Sequence, residues 1–242
     1  MKRIIHTILI MASCVTLLQA QEPPNTRIPL IGETAPKFTA ESTNGTITFP
    51  DNNNSKWTIL FSHPADFTAV CSSEILELAA MQNDFEKLNT RLMVISTDAV
   101  SSHIAWIKSL ESIKYKNREQ VKINFPLISD KNLDISRRYG MIHSYSSTTK
   151  DVRGVFIVDS DNKIEAIFFY PMNVGRNMEE IKRTLVALQT AGKNNVLTPA
   201  NWEPGQDVMI PSPKTSEDAD KLQNKNDPKL YNFSWYMWFM KL

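Results

Sequence analysis

The sequence predicts an α/β fold: a mixed central sheet flanked by helices, plus an extended C-terminal arm. Three observations carry that expectation. The apolar runs Trp57–Phe61 and Leu92–Ile95 suit buried strands, and each precedes a stretch with apolar residues three or four apart. Strand, helix, strand, helix in that order implies right-handed crossovers and parallel pairing. Val155–Val158 and Ile164–Phe169 instead flank Ser160-Asp161-Asn162-Lys163, which predicts an antiparallel hairpin, so the sheet is mixed.

The elements follow in chain order. Thr39 to Phe49 alternates around Asn44-Gly45, a hairpin signal, and Asp51–Ser55 is a polar loop. After the Trp57–Phe61 strand, Pro64 cannot continue a central strand because it has no backbone N–H to give the ladder. The chain therefore leaves the sheet at His63-Pro64 and enters a helix near Cys71, whose apolar face is Ile75, Leu78, Met81, Phe85 and Leu88. Arg91–Thr97 is the next strand. Ser101–Tyr115 is the next helix, with Ile104, Ile107 and Leu110 as its apolar face. Phe125–Ile128 reads as a short strand and Leu133–Tyr139 as a short helix ended by Gly140. Met178, Ile181, Leu185 and Leu188 mark the last amphipathic helix. Beyond Gln189 the prolines Pro199, Pro204, Pro211 and Pro213 keep the chain extended. A charged stretch, Glu217–Lys229, then leads to the aromatic Tyr231–Met240.

With 242 residues the chain suits one medium domain with a decorated end. Lys+Arg 27 against Asp+Glu 26 leaves a net charge of +1, which gives no electrostatic footprint for nucleic acid. Residues 1–20 have the layout of a secretory signal peptide: Lys2-Arg3, an apolar run from Ile4 to Leu18, then Ala20 ahead of polar Gln21-Glu22. The run is short for a membrane span. The lesser alternative is a lipoprotein signal at Met11-Ala12-Ser13-Cys14, with lipid on Cys14. Against it, the residues after Cys14 stay apolar. Residues 21–30 form an N-terminal tether, 31–192 the main domain and 193–242 a C-terminal arm. The chain has 2 cysteines, and with Cys14 removed or lipidated, Cys71 is the one unmodified cysteine of the exported protein.

Cys71 stands at a strand–loop–helix junction, with its sulfur in the first helical turn. Unpaired N–H groups and the helix dipole favour an anion there, and such placement lowers a thiol from its free pKa of about 8.5. Thr68, three residues earlier, brings its hydroxyl to the same small space. Arg153, at the start of the Val155–Val158 strand, reads by itself as a surface ion pair. Only the resemblance that follows makes it a site candidate, whose cation would stabilise both a thiolate and negative charge on a leaving oxygen.

These residues carry a resemblance. Pro64, Thr68 and Cys71 match the Pro-x-x-x-Thr-x-x-Cys motif of the peroxiredoxins. The run Ser62-His63-Pro64-x-Asp66-Phe67-Thr68-x-Val70-Cys71 is most similar to their single-cysteine branch. The likeness continues through Thr97-Asp98, His103-x-x-Trp106, Phe125-Pro126-Leu127-Ile128-x-Asp130, Arg153–Val158, Tyr170-Pro171, Gly175-Arg176-Asn177 and Thr198-Pro199-x-x-Trp202. It implies a thioredoxin-like peroxidase domain over 31–192, a dimerisation role for the arm 193–242, and a homodimer or higher homo-oligomer. The implied activity is reduction of hydrogen peroxide and organic hydroperoxides without bound cofactor or metal. Cys71 becomes a sulfenic acid that an external thiol, a thioredoxin-like protein or a small thiol, resolves. Thr68 bonds the thiolate and positions peroxide, and Pro64 shields the sulfur. Arg176 supplies a second arginine, Glu74 orients one of the two, and His63 contacts the thiol or its partner. His103 and Trp106, at helical spacing, read as packing residues.

Departures from the family narrow the reading. No second cysteine is present for a resolving disulfide, so a disulfide between two Cys71 residues is the alternative to an external thiol. Asn53-Asn54-Ser55-Lys56-Trp57 lacks the glycines of the Gly-x-Ser-x-Gly element linked to phospholipase activity in some relatives. A thioredoxin-type exchanger needs Cys-x-x-Cys, and Cys71-Ser72-Ser73-Glu74 ends in glutamate. The non-enzymatic rival is a holdase or interaction protein using the aromatic tail.

Overall fold

In the computed structural model, which describes residues 27–51 and 55–241, the chain enters its sheet through an antiparallel hairpin. Strands β1 (Phe38–Ser42) and β2 (Gly45–Phe49) pair with Ser42 opposite Gly45. The turn residues are thus Thr43-Asn44, one earlier than the Asn44-Gly45 signal. Gly45 takes a φ of +91° as the first residue of β2, which a glycine adopts without a Cβ clash. β3 (Trp57–Ser62), α1 (Ala69–Lys87), β4 (Thr90–Ser96), α2 (Val100–Leu110) and β5 (Leu127–Ser129) then form the two expected parallel crossovers. The short α3 (Asp134–Arg138) leads to the antiparallel pair β6 (Arg153–Val158) and β7 (Ile164–Tyr170). The resulting seven-stranded sheet runs β2-β1-β5-β4-β3-β6-β7.

β3 lies inside this order, parallel to β4 and antiparallel to β6, and its side chains alternate between two cores. Ile59 and Phe61 join Val94, Val155 and Ile157 under α1, α2 and α4 (Met178–Asn194). Leu60 joins Ile95, Ile128, Phe156 and Val158 with Phe38, Phe49 and Ile135 on the other face. Burial on both faces is why β3 reads as a continuous apolar run. It also makes β3 a rigid base for the loop that follows.

Several expected boundaries move. α2 ends at Leu110, short of Tyr115, and buries His103, Trp106 and Leu110, whereas Ile104 is exposed. The buried stripe includes a histidine, so apolarity alone picked the neighbouring stripe. β5 begins after Pro126, whose carbonyl accepts the Val94 N–H but which has no N–H to donate. α4 continues past Gln189 to Asn194. The charged stretch contains a further helix, α5 (Ser216–Gln223), capped by Thr215. The C-terminal extension carries a small sheet: β9 (Leu230–Ser234) and β10 (Met237–Met240) form a hairpin that pairs with β8 (Val208–Met209). Trp202, Val208 and Met240 pack with Ala187 of α4, which ties this small sheet to the main domain. Phe233 of β9 and Trp235 and Tyr236 of the turn are exposed. The signal peptide, Cys14 and most of the tether lie outside the described residues, as do Asn53 and Asn54. No described helix is long and apolar enough to cross a membrane.

One buried group is out of balance. Asp151, just before β6, is fully buried, and neither carboxyl oxygen has a hydrogen-bond partner among the described residues. Burial pushes its pKa well above the ordinary carboxylate range; Ser136 and Lys150 oppose this and the Asp130 and Asp98 carboxyls add to it. A carboxyl with a raised folded pKa costs stability above its unfolded pKa of about 3.9, and the cost grows until pH passes the folded value. Asp151→Asn should therefore stabilise the protein near neutral pH by roughly 1–3 kcal/mol, since an amide has no charge to desolvate. Thermal melts across the pH range check this; a lower melting temperature near neutrality would show that the carboxylate is held.

Candidate active site

β3 delivers the site. The His63 N–H still bonds Ile95 O of β4 at 3.1 Å, and buried Pro64 ends the ladder. The loop turns at Phe67, whose φ of 56° is uncommon for a residue with a side chain. Thr68, extended at φ −101° and ψ 146°, is the N-cap of α1, so Cys71 is the third helical residue. Its sulfur is buried, while Phe67, Thr68 and Ala69 form the exposed rim beside it.

Beneath the sulfur lies a buried charge cluster. Arg153, 2% exposed, donates from one nitrogen, Nη1, to Cys71 Sγ at 3.2 Å and to Glu74 Oε2 at 2.7 Å. Its other guanidinium nitrogens reach the Met172 carbonyl. Arg176 takes Glu74 through Nε at 2.9 Å and Nη2 at 2.7 Å, and its backbone N–H adds a third bond at 2.8 Å. Arg176 Nη1 also bonds Ser62 O and Gly154 O, each at 2.8 Å, which ties the cluster to β3 and β6. Burial alone would raise Glu74, but Arg176 and then Arg153 hold it below the ordinary carboxylate range. Two guanidiniums share one carboxylate, so the cluster carries a net positive charge toward the sulfur. Such a field favours a thiolate.

The thiol responds. Burial pushes Cys71 up, yet the His63 ring, the Thr68 hydroxyl and the Ala65 backbone bring it down to about 6. The Thr68 hydroxyl has one proton for two neighbours, the sulfur and Ala65 O, and its bond to Ala65 O is 2.9 Å. Cys71, Arg153, Glu74 and Arg176 thus form one bonded cluster, Thr68 and His63 act on the same thiol, and Pro64 follows His63 in the loop. Glu74 bridges both arginines instead of orienting one.

Sequence reasoning missed the second half of the site. His103 is not merely a packing residue: it is fully buried and its Nδ1 faces both Asp66 oxygens, at 3.0 and 2.9 Å. Asp98 accepts the Asp66 N–H at 2.8 Å and pairs with Lys150 at 3.0 Å. Asp66, Asp98 and His103 lay inside matched motifs, but nothing in their spacing signals that they touch. Trp106 does pack, against the His63 ring at a centroid distance of 5.1 Å.

Residues 31–167 match the AhpC/TSA family and residues 187–226 the C-terminal domain of 1-Cys peroxiredoxin. A peroxiredoxin of Methanosarcina mazei is 48% identical over 215 residues, which cover 88% of this chain and 98% of that protein. A peroxiredoxin of Aquifex aeolicus is 41% identical, over 80% of this chain and 90% of its own. Among solved structures, a yeast mitochondrial 1-Cys peroxiredoxin is similar at TM-score 0.77 and 36% identity, covering 89% of this chain and all of that one. Peroxiredoxin 6 of Arenicola marina, solved as a cysteine-to-serine mutant, is similar at TM-score 0.75 and 31% identity, over 88% of this chain and 98% of its own.

Proposed function

The chain belongs to the peroxiredoxin family and is a thiol-dependent peroxidase of the single-cysteine type, and from that premise we propose that Cys71 is its peroxidatic residue. The observation that carries this is the sulfur itself, held 3.2 Å from a buried guanidinium and lowered to about 6. The Cys71 thiolate attacks one peroxide oxygen, the O–O bond breaks, and Cys71 becomes a sulfenic acid. The departing oxygen leaves as an alkoxide or hydroxide and takes up a proton. Arg153 Nη1 faces both sulfur and leaving oxygen in this step, Thr68 positions the peroxide, and Pro64 walls the sulfur from water.

A first external thiol then displaces water from the sulfenic acid, and a second releases Cys71 from the mixed disulfide. Burial of Cys71 favours a small thiol over a second Cys71, and the yeast relative is described as resolved via glutathione/thioredoxin systems. Export through residues 1–20 and self-association through the tail belong to the same reading. The first is supported by the basic start and apolar run, the second by exposed Phe233, Trp235 and Tyr236.

Rapid mixing of reduced protein with hydrogen peroxide and with an organic hydroperoxide tests the central step. One equivalent should be consumed per chain, fast, and only when Cys71 is present. If Cys71→Ser were equally fast, or the native chain no faster than a free thiol, the reading fails.

A further inference from the structure

His103 Nε2 faces the Ile128 carbonyl at 3.3 Å. A carbonyl only accepts, so Nε2 carries a hydrogen. Nδ1 faces the two Asp66 oxygens, so a single proton lies between ring and carboxylate, and the pair is neutral overall wherever that proton sits. Asp66 is thus held at its carboxylate by His103 and at its backbone N–H by Asp98, which Lys150 pairs in turn.

His63 is treated differently. Its ring is 1% exposed and its Nε2 stands 3.7 Å from Asp66 Oδ1, outside hydrogen-bond reach. Neither of its nitrogens has a hydrogen-bond partner among the described residues. The Trp106 ring, itself anchored by its N–H to Ser72 Oγ at 3.2 Å, limits where His63 can turn. Unpaired buried nitrogens are costly, and the nearby carboxylate is the obvious partner. His103 instead holds both oxygens of that carboxylate, at 3.0 and 2.9 Å, and the carboxylate so placed stands out of reach of His63.

We propose that His103 is a positioning residue for peroxide reduction: by holding the Asp66 carboxylate, it keeps His63 unpaired and available to the Cys71 sulfur. The inference rests on Cys71 as the peroxidatic residue. It gives His63 its task, to sit as a donor beside the thiolate and beside the oxygen that leaves. It explains why a histidine lies in the buried stripe of α2 where an apolar residue would pack as well. The titratable and charged groups around the two rings are Asp66 in the loop, Cys71 in α1, Asp98 after β4 and Lys150 before β6.

Two conservative variants separate this role from packing. In His103→Asn the amide stands where Nδ1 stood and can still hold Asp66. In His103→Gln it stands where Nε2 stood, so Asp66 is released to capture His63. The readouts, on the reduced full chain, are the rate of Cys71 alkylation by iodoacetamide against pH and the rapid-mixing rate with hydrogen peroxide. His103→Gln should move the alkylation midpoint up by about one pH unit and slow peroxide reduction roughly 5-fold near pH 6. His103→Asn should keep the native midpoint.

Asp66→Asn gives an independent route, because an amide cannot bind His63 as the carboxylate would. Its midpoint should fall at or below the native one, and adding His103→Gln should shift nothing further. The proposal is overturned if His103→Gln and His103→Asn share the native midpoint, or if Asp66→Asn raises it. Alkylation reads the thiolate without peroxide. A native chain that showed these midpoint shifts but no Cys71-dependent peroxide consumption would sink the peroxidase assignment instead.

Discussion

Glu74→Ala should lose about 3–5 kcal/mol of stability, the cost of stripping one partner from a buried ion cluster. Glu74 receives four hydrogen bonds, three from Arg176 and one from Arg153, and all three side chains are no more than 2% exposed. Without it, two guanidiniums remain buried with backbone carbonyls as their partners, and their mutual repulsion goes uncompensated. Glu74→Gln keeps the shape and an acceptor and should fall between. The pH dependence has a definite sign. Glu74 is depressed in the fold, so its stabilisation is present above the unfolded carboxylate pKa of about 4.3 and is lost as pH falls through the lower folded value. Glu74→Gln has no proton to take up there and should lose that part of the acid dependence. Denaturant melts of the three proteins at neutral and acid pH check both statements. A Glu74→Ala protein as stable as the native one would mean that water reaches the cluster.

That cluster also marks where sequence reading succeeds and where it stops. Pro64, Thr68 and Cys71 lie close together on a strand–loop–helix junction whose geometry is local, so their meeting was legible from spacing. Arg153 and Arg176 are distant in sequence, and resemblance alone placed them at the sulfur. Even so, the sharing of Glu74 between them depends on β3, β6 and the start of α4 converging, which no local pattern encodes. The Asp66–His103 pair joins a loop to a helix 37 residues later, and a histidine in an apolar stripe looks the same whether it packs or bonds. The sheet was readable because its central strands are apolar runs, buried on both faces. The C-terminal sheet was not, because β8 is two residues long and its partners follow a proline-rich stretch that argues for extended chain. Its stability comes from Trp202 and Val208 finding Ala187 of α4, which is tertiary information.

Arg153→Met should slow peroxide reduction by about 10²–10³-fold near neutral pH, the usual loss when one preorganised donor to developing charge is removed. Two contributions enter, and pH separates them. With Cys71 at about 6, the native thiol is roughly nine-tenths thiolate at pH 7. Even if loss of the Nη1 donor at 3.2 Å returned the thiol all the way to the free value of about 8.5, against the pull of His63, Thr68 and Ala65, roughly 3% would be thiolate at that pH. Lost ionisation therefore explains at most a ~30-fold decrease. Raising the pH should recover that share, so the variant's rate should climb between pH 7 and 9 while the native rate is nearly flat. The remainder should persist at every pH, because the departing oxygen has lost the donor that meets its charge as the O–O bond breaks. Glu74 keeps all its bonds from Arg176, so the fold should survive the change. Stopped-flow rates and alkylation midpoints measured together decide the matter. If alkaline pH restored the full native rate, Arg153 would serve only to ionise Cys71, and stabilisation of the leaving oxygen would have to come from Thr68 and His63.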